Sequence, residues 1–164
     1  MLLCVTILVS AGCKKNDQNN PSNHLASLKK TILGKWYYNG YEVSYYDNNK
    51  TQIYNDVASA AILHNNPHYD LRKNDTAYYT GSENPDPFYA ISYKVTSSAT
   101  AGDSLIISGN NPALRFKITS ISDTQLQLEA DYASQTEFVN RTTGQIITST
   151  SASSFGTFSR VQAP

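Results

Sequence analysis

Hydrophobic and polar residues alternate along four segments in the second half of the chain, a pattern typical of strands that bury one face. The segments are residues 88–96, 103–109, 113–121 and 125–132. In the third segment Leu114, Phe116 and Ile118 share one face, and polar residues stand between them. Ser122 and Asp123 are turn formers between the last two segments. The pattern predicts antiparallel strands with one solvated face, the last two joined as a hairpin.

A second group of segments alternates over shorter stretches and predicts further strands. They are residues 34–43, 52–55, 69–73, 77–80, 136–141, 145–150 and 155–161. About ten short strands at close spacing favour a barrel or a sandwich. Closure into a barrel would remove the exposed edge strands that invite aggregation.

Helical spacing occurs in two places. Leu25, Leu28 and Ile32 recur at intervals of three and four, which predicts a short helix over residues 23–33. Residues 56–66 contain three alanines beside isoleucine and leucine, which predicts a helical turn that interrupts the sheet. The expected fold is therefore an all-β, antiparallel barrel with a short N-terminal helix.

Composition agrees with an all-β domain and argues against one class of partner. The 164 residues leave room for one domain, and twelve tyrosines with many threonines, valines and isoleucines favour strands. Lys plus Arg and Asp plus Glu both number 13, so the formal charge is zero. A neutral chain has no general attraction for phosphate backbones, and we expect no nucleic-acid partner.

The first residues resemble a lipoprotein export signal. Residues 1–9 form an uncharged apolar run, too short for a membrane-spanning helix of about 20 residues but suited to a signal peptide. Ser10, Ala11 and Gly12 precede Cys13, as small residues precede the lipid-modified cysteine of the bacterial lipobox. The resemblance implies a lipid anchor at Cys13 that holds the protein to a membrane of the cell envelope. The expected location is the outer membrane, on its periplasmic face or at the cell surface.

This interpretation divides the chain into three parts. Residues 1–12 are predicted to be the signal peptide, residues 13–23 the lipidated cysteine with a flexible polar tether, and residues 24–164 the barrel domain. The alternative is a buried N-terminal strand in which Cys13 carries a free thiol. Cys4 lies within the leader, so the mature chain would form no disulfide.

A short motif points to a family. Gly34 and Trp36 form a G-x-W motif at the start of the first predicted strand, and Arg160 stands near the end of the last. This pair resembles the lipocalin and lipocalin-like families, and the order of elements is similar to lipocalin-like lipoproteins of Bacteroidetes-type bacteria. The resemblance implies that Arg160 packs across Trp36, a contact worth about 0.5–2 kcal/mol. We interpret the three residues as a barrel-closing motif rather than a ligand site.

Clusters of chemically active residues are sparse. His64, His68 and Asp70 could hold a divalent metal, but Pro67 breaks the helix that would align the two imidazoles. A solvated loop is the better interpretation. The sequence carries no nucleophile, phosphate-binding or metalloprotease motif. We therefore expect no metal, no cofactor and no enzymatic activity.

Tyrosines crowd two stretches of the chain, residues 37–46 and 78–93. Such rings could line a pocket for an amphipathic ligand or stack on sugars, or they could simply fill a small barrel. Tyr89 and Tyr93 continue an apolar stripe and are expected to fill the core. Of Tyr37 and Tyr38, one must point outward.

Three functions remain open at this stage. The leading hypothesis is a monomeric, lipid-anchored, lipocalin-like protein that binds a small hydrophobic or amphipathic ligand. The second is a surface module with a filled barrel that contacts a protein or glycan partner, and the third is an enzyme of unrecognised type. An empty apolar interior favours the first hypothesis and a filled interior favours the second.

Overall fold

The computed structural model describes residues 21–59, 67–81, 89–109, 113–133 and 135–160, with only the backbone described at residues 89 and 90. Within these ranges the chain forms a helix, α1 (Pro21–Thr31), and eleven strands. The strands are β1 (Gly34–Tyr46), β2 (Gln52–Ser59), β3 (His68–Leu71), β4 (Thr76–Thr80), β5 (Tyr89–Ser98), β6 (Gly102–Ser108), β7 (Leu114–Ile121), β8 (Gln125–Tyr132), β9 (Thr136–Val139), β10 (Ile146–Ser149) and β11 (Ser151–Ser159).

Eight of the strands form a closed antiparallel barrel. The order around it is β1, β3, β4, β5, β6, β7, β8 and β11, and β11 pairs with β1 to close the ring. Each of these strands therefore has a neighbour on both sides. The predicted fold class, an antiparallel lipocalin-like β-barrel with a short N-terminal helix, is confirmed.

Apolar side chains fill the barrel interior next to α1. Leu126 and Leu128 of β8 are buried, as their alternation predicted, and Ile118 lies beside them on β7. Leu28 and Ile32 of α1 are buried in the same cluster. Full burial of one such side chain contributes about 1.5–3 kcal/mol to stability. The helix thus closes one end of the barrel, here called the helix end.

The predicted hairpin between β7 and β8 is also present. The backbone N–H of Ser122 donates a hydrogen bond to the carbonyl oxygen of Gln125 at 2.8 Å. The Ser122 hydroxyl oxygen accepts a second bond from the N–H of Gln125 at 3.0 Å. The turn is therefore fixed by a serine side chain as well as by backbone contacts.

The first strand extends beyond the barrel. Its first four residues pair with β3, whereas the residues from Gly40 onward pair with β2. On its other side β11 follows β1 as far as Tyr46. Strands β2, β1, β11 and β8 therefore continue together as a four-stranded ribbon at the end of the barrel opposite α1. The β9–β10 hairpin forms a separate two-stranded sheet.

The helical turn predicted at residues 56–66 is wrong for its first four residues. Strand β2 continues to Ser59, and Ala58 pairs with Tyr41 and is buried. The ladder to β1 and the burial of Ala58 outweigh the weak helix preference of this segment. Residues 60–66 lie outside the described residues.

Helix α1 begins two residues earlier than predicted, at Pro21, and ends at Thr31. Proline suits the first turn of a helix because its missing N–H has no partner to lose there. In the described ranges, no helix is long and apolar enough to cross a membrane. The predicted leader and most of the predicted tether, residues 1–20, lie outside the described residues.

Candidate functional site

Arg160 lies across the indole of Trp36 at the helix end of the barrel. The guanidinium carbon is 3.8 Å from the centre of the Trp36 ring, and the indole is fully buried. Its Nε1–H donates a hydrogen bond of 2.7 Å to the carbonyl oxygen of Ile32. The first and last barrel strands are thereby joined to the end of α1.

The guanidinium of Arg160 also caps α1. It donates hydrogen bonds to the carbonyl oxygens of Thr31 and Leu33, and its Nε donates to the carbonyl oxygen of Asp123 at 3.3 Å. Carbonyls at a helix C-terminus have no partner within the helix, so these bonds satisfy groups that burial would otherwise leave unpaired. Burial lowers the pKa of Arg160, but arginine remains charged at every physiological pH.

Gly34 gives Arg160 the space for this contact. Its φ of +106° lies in the left-handed region, which favours glycine. A Cβ at this position would lie 2.5 Å from Nη1 of Arg160. The stacking distance leaves no space for a ligand between guanidinium and indole, so Gly34, Trp36 and Arg160 form a packed junction.

Three tyrosines project into the barrel beyond this junction. Tyr38 lies two residues past Trp36 on the same face of β1, and its ring meets Phe158 edge-on at 4.3 Å between centres. Tyr69 of β3 and Tyr79 of β4 are paired across the sheet, with ring centres 5.0 Å apart. Tyr69 is also 6.2 Å from Phe158. We call Tyr38, Tyr69 and Tyr79 the inner tyrosines.

Burial raises the pKa of each inner tyrosine. It raises the pKa of Tyr38 to about 12, with smaller contributions from the neighbouring Tyr79, Tyr132 and Tyr41. Burial also raises the pKa of Tyr69 and of Tyr79. At neutral pH each hydroxyl is an uncharged hydrogen-bonding group at the edge of an apolar ring. Such a set can contact the apolar part of a ligand with its rings and the polar part with its hydroxyls.

The other tyrosines point where strand alternation predicts. Tyr38 points inward, whereas Tyr37 points outward and its ring lies 5.0 Å from that of His68. Tyr93 is buried in the core, and its hydroxyl donates to a backbone carbonyl oxygen at 2.7 Å. The expectation that Tyr93 fills the barrel is therefore confirmed. The side chain of Tyr89 lies outside the described residues.

The β9–β10 hairpin covers one face of the ribbon. Phe138 of β9 stacks on Tyr45 at 3.8 Å and on Tyr54 at 5.0 Å between ring centres. Tyr45 pairs with Ala152 of β11, which lies on the same face of that strand as the inward Phe158. The hairpin therefore covers the inner face of the ribbon.

An ion pair fixes the turn of this hairpin. Nη2 of Arg141 lies 3.3 Å from Oδ2 of Asp56 and donates to the hydroxyl oxygen of Tyr41 at 3.2 Å. The carboxylate of Asp56, followed by Tyr41, raises the pKa of Arg141. The backbone N–H of Arg141 also donates to the hydroxyl of Tyr54 at 3.2 Å. Sequence reasoning missed this network, because its members are far apart in the chain and form no local motif.

The candidate metal ligands have other contacts where the structure describes them. His68 begins β3 and packs against an aromatic ring, and Asp70 accepts a hydrogen bond from Arg72 at 3.0 Å. His64 lies outside the described residues, as does Cys13. In the part of the chain that the structure describes, no three His, Cys, Asp or Glu side chains are grouped to hold a metal.

Comparison of the chain with protein-family models, with curated proteins and with solved structures found no match. Function is therefore inferred from the tyrosine-lined interior, the packed helix end and the N-terminal sequence.

Proposed function

We propose that this protein is a lipid-anchored lipoprotein of the cell envelope whose lipocalin-like barrel binds a small amphipathic molecule. The inner tyrosines carry this proposal. Tyr38, Tyr69 and Tyr79 place three uncharged phenols inside a closed barrel, beyond a core that is already packed. Their rings offer apolar surface and their hydroxyls offer hydrogen bonds at one place.

The position of the inner tyrosines limits the size of the ligand. The part of the barrel next to α1 is occupied by Trp36, Leu71 and other buried side chains. A ligand therefore occupies only the part of the interior that lies farther from α1. The turn of the β9–β10 hairpin contacts Tyr41, three residues from Tyr38 on β1, through Arg141.

Native mass spectrometry of the full chain, incubated with a lipid extract of bacterial envelopes in mild detergent, tests the binding proposal. We expect an adduct with a stoichiometry of one. The double variant Tyr38→Phe/Tyr79→Phe should weaken its binding about tenfold, because two hydrogen bonds are worth about 1–3 kcal/mol together. The matched control is Tyr78→Phe, whose ring points outward beneath the guanidinium of Arg72 at 4.1 Å. Equal losses in the double variant and the control would contradict a site at the inner tyrosines.

A second candidate is a surface module that binds a protein or a glycan. Val57, Val139 and Ile146 expose 65%, 56% and 71% of their surface, and Val139 and Ile146 are paired across the β9–β10 hairpin. In the described part of the chain, β2 pairs on one side only, with β1. This candidate predicts a bare protein mass in the same spectrum. It also predicts that the protein captures a macromolecular partner, and that Val57→Asp abolishes this capture.

A further inference from the structure

A groove lined by lysines lies beside the helix end of the barrel. It is formed by the last turn of α1, the turn between β3 and β4, and the middle of β5, and has a volume of about 610 Å³. Its charged residues are Lys29, Lys30, Lys73, Asp75 and Lys94. We call it the lysine groove.

The lysine groove is positive although the whole chain is neutral. Four lysines face one aspartate, which gives the lining a formal charge of +3. In the described ranges none of the four lysines has a carboxylate within ion-pair distance, since the ion pairs there involve other cations. Two carboxylates outside the groove lining, Asp70 and Asp103, contact Arg72 and His24 instead. The positive electrostatic potential of the groove is therefore available to attract an external anion.

The floor of the groove is apolar. Leu33, Tyr93 and Val95 contribute to its lining together with the lysines. A site for a small, fully hydrated anion needs no such surface. The cationic rim could bind a phosphate, and the apolar floor could contact the glycerol and acyl carbons next to it.

The chain connection limits the distance between the proposed anchor and the start of α1. Seven residues, 14–20, separate Cys13 from the start of α1 at Pro21. Even fully extended, that segment spans no more than about 28 Å. Helix α1 lies across the barrel end, with His24 contacting Asp103 near its first turn and Arg160 capping its last. A lipid on Cys13 would therefore keep the helix end close to the bilayer surface.

We propose that the lysine groove binds the phosphate headgroups of anionic phospholipids in the membrane that holds the anchor. The ammonium groups of Lys29, Lys30, Lys73 and Lys94 supply the point charges that a phosphate attracts. The idea rests on the proposed lipidation of Cys13. Headgroup binding would give the protein a second contact with the membrane besides the lipid on Cys13. This contact would orient the barrel with its helix end toward the bilayer.

Flotation of the full chain carrying Cys13→Ser with lipid vesicles tests the groove without the acyl anchor. Vesicles of phosphatidylcholine alone are compared with equimolar phosphatidylcholine and phosphatidylglycerol. Any contribution of the apolar leader is common to both. We expect about tenfold stronger binding to the anionic vesicles than to the neutral ones. Adding Lys29→Gln/Lys30→Gln should abolish this preference, and high salt should weaken it. The control pair Lys50→Gln/Lys117→Gln, placed on the turn after β1 and on β7, should leave it unchanged.

Three outcomes would overturn the proposal. Equal binding to both vesicles would exclude recognition of the headgroup charge, and equal loss in the two lysine pairs would exclude the groove. Competition by millimolar inorganic phosphate would show that the groove binds a free anion rather than a lipid. Circular dichroism of each variant shows whether it is folded. Failure of lipidation is seen separately, in the mass of the wild-type chain.

Discussion

Arg160 combines two roles at one residue. Its guanidinium stacks on Trp36 and at the same time donates hydrogen bonds to carbonyl oxygens at the end of α1. A lysine could supply the charge, but it lacks the planar fork that bonds several carbonyls while lying flat on a ring. The junction therefore depends on the shape of the side chain as well as on its charge.

Replacement of Arg160 by alanine should lower the free energy of unfolding by about 2–3 kcal/mol. The loss comprises the cation–π contact and hydrogen bonds made by a charged donor. Urea denaturation followed by the fluorescence of Trp36, the single tryptophan, measures it. Arg115→Ala, on the exposed face of β7, is the control and should change stability by no more than about 0.5 kcal/mol. Similar values for both variants would argue against a structural role for Arg160.

The pKa of Tyr38 makes stability depend on pH in the alkaline range. It rises from 10.0, the ordinary value of an exposed phenol, to about 12 in the folded protein. Between these values the unfolded chain has released a proton that the folded chain still holds. The stability contributed by the neutral phenol is therefore fully present below pH 10 and is lost as the pH rises through 12.

We expect Tyr38→Phe to reduce the fall in unfolding free energy between pH 10 and 12. Urea titrations at several pH values across this range give the slope. Tyr78→Phe, which removes an outward hydroxyl, should retain the wild-type slope. If both variants lose stability with pH as steeply as the wild type does, the phenol of Tyr38 is not the group responsible.

At the scale of elements, the β9–β10 hairpin is attached to the rest of the protein by few contacts. Phe138 stacks on two tyrosines and Arg141 pairs with Asp56, whereas Val139 and Ile146 are exposed. A small attached element can open without global unfolding. The hairpin contacts Tyr41, three residues from Tyr38 on β1, so we expect its opening to widen access to the proposed ligand site.

Truncation of Phe138 to alanine should release the hairpin and leave the barrel intact. The side chain is half-buried, so we expect a loss of about 2 kcal/mol in the local opening free energy. Hydrogen exchange of the β10 amides should accelerate, while exchange along β7 and β8 stays at the wild-type rate. Val139→Ala alters the exposed face of the same strand and should change the exchange rate neither of β10 nor of β7 and β8. Acceleration throughout the barrel after Phe138→Ala would mean that the hairpin is part of the global folding unit.

Strands with one fully covered face were predictable from the sequence. Alternation located β7 and β8 and their hairpin, because inward leucines and outward charged residues differ clearly along each strand. Strand β2 was predicted only in its first half, residues 52–55, and residues 56–59 were predicted as helical. It belongs to the ribbon, where one side carries Ala58 and the other Val57, so hydrophobicity does not alternate. Residues 56–59 form a strand because they pair with β1, and this pairing cannot be recognised from a short stretch of sequence.

The candidate site was predictable only in part. Strand alternation required that Tyr37 and Tyr38 point in opposite directions, and the G-x-W resemblance led to Trp36 and Arg160. Nothing local indicated that Tyr38 would share an interior with Tyr69 and Tyr79, because that follows from strand order around the barrel. The closeness of Phe138 to Tyr45 depends likewise on how the chain returns after β8.

At the scale of the whole molecule, α1 and the inner tyrosines lie on different sides of the packed core. The tether enters at α1, which covers the helix end, and the inner tyrosines lie beyond the packed core. An anchored barrel would thus present its tyrosine-lined part away from the bilayer. Its ligand would then be captured from the aqueous side rather than extracted directly from the membrane.

This arrangement makes lipidation and ligand binding separable. In a bacterium that processes lipoproteins, we expect the wild-type chain to begin at a triacylated Cys13 and to partition into detergent. Cys13→Ser should lose the acyl mass and the partitioning, whereas Cys4→Ser, which alters a residue of the leader, should retain both. Intact mass measurement distinguishes them. Because the packed core separates α1 from the inner tyrosines, ligand affinity should be equal in wild type and Cys13→Ser. An affinity lost with the anchor would mean that the ligand reaches the barrel through the bilayer.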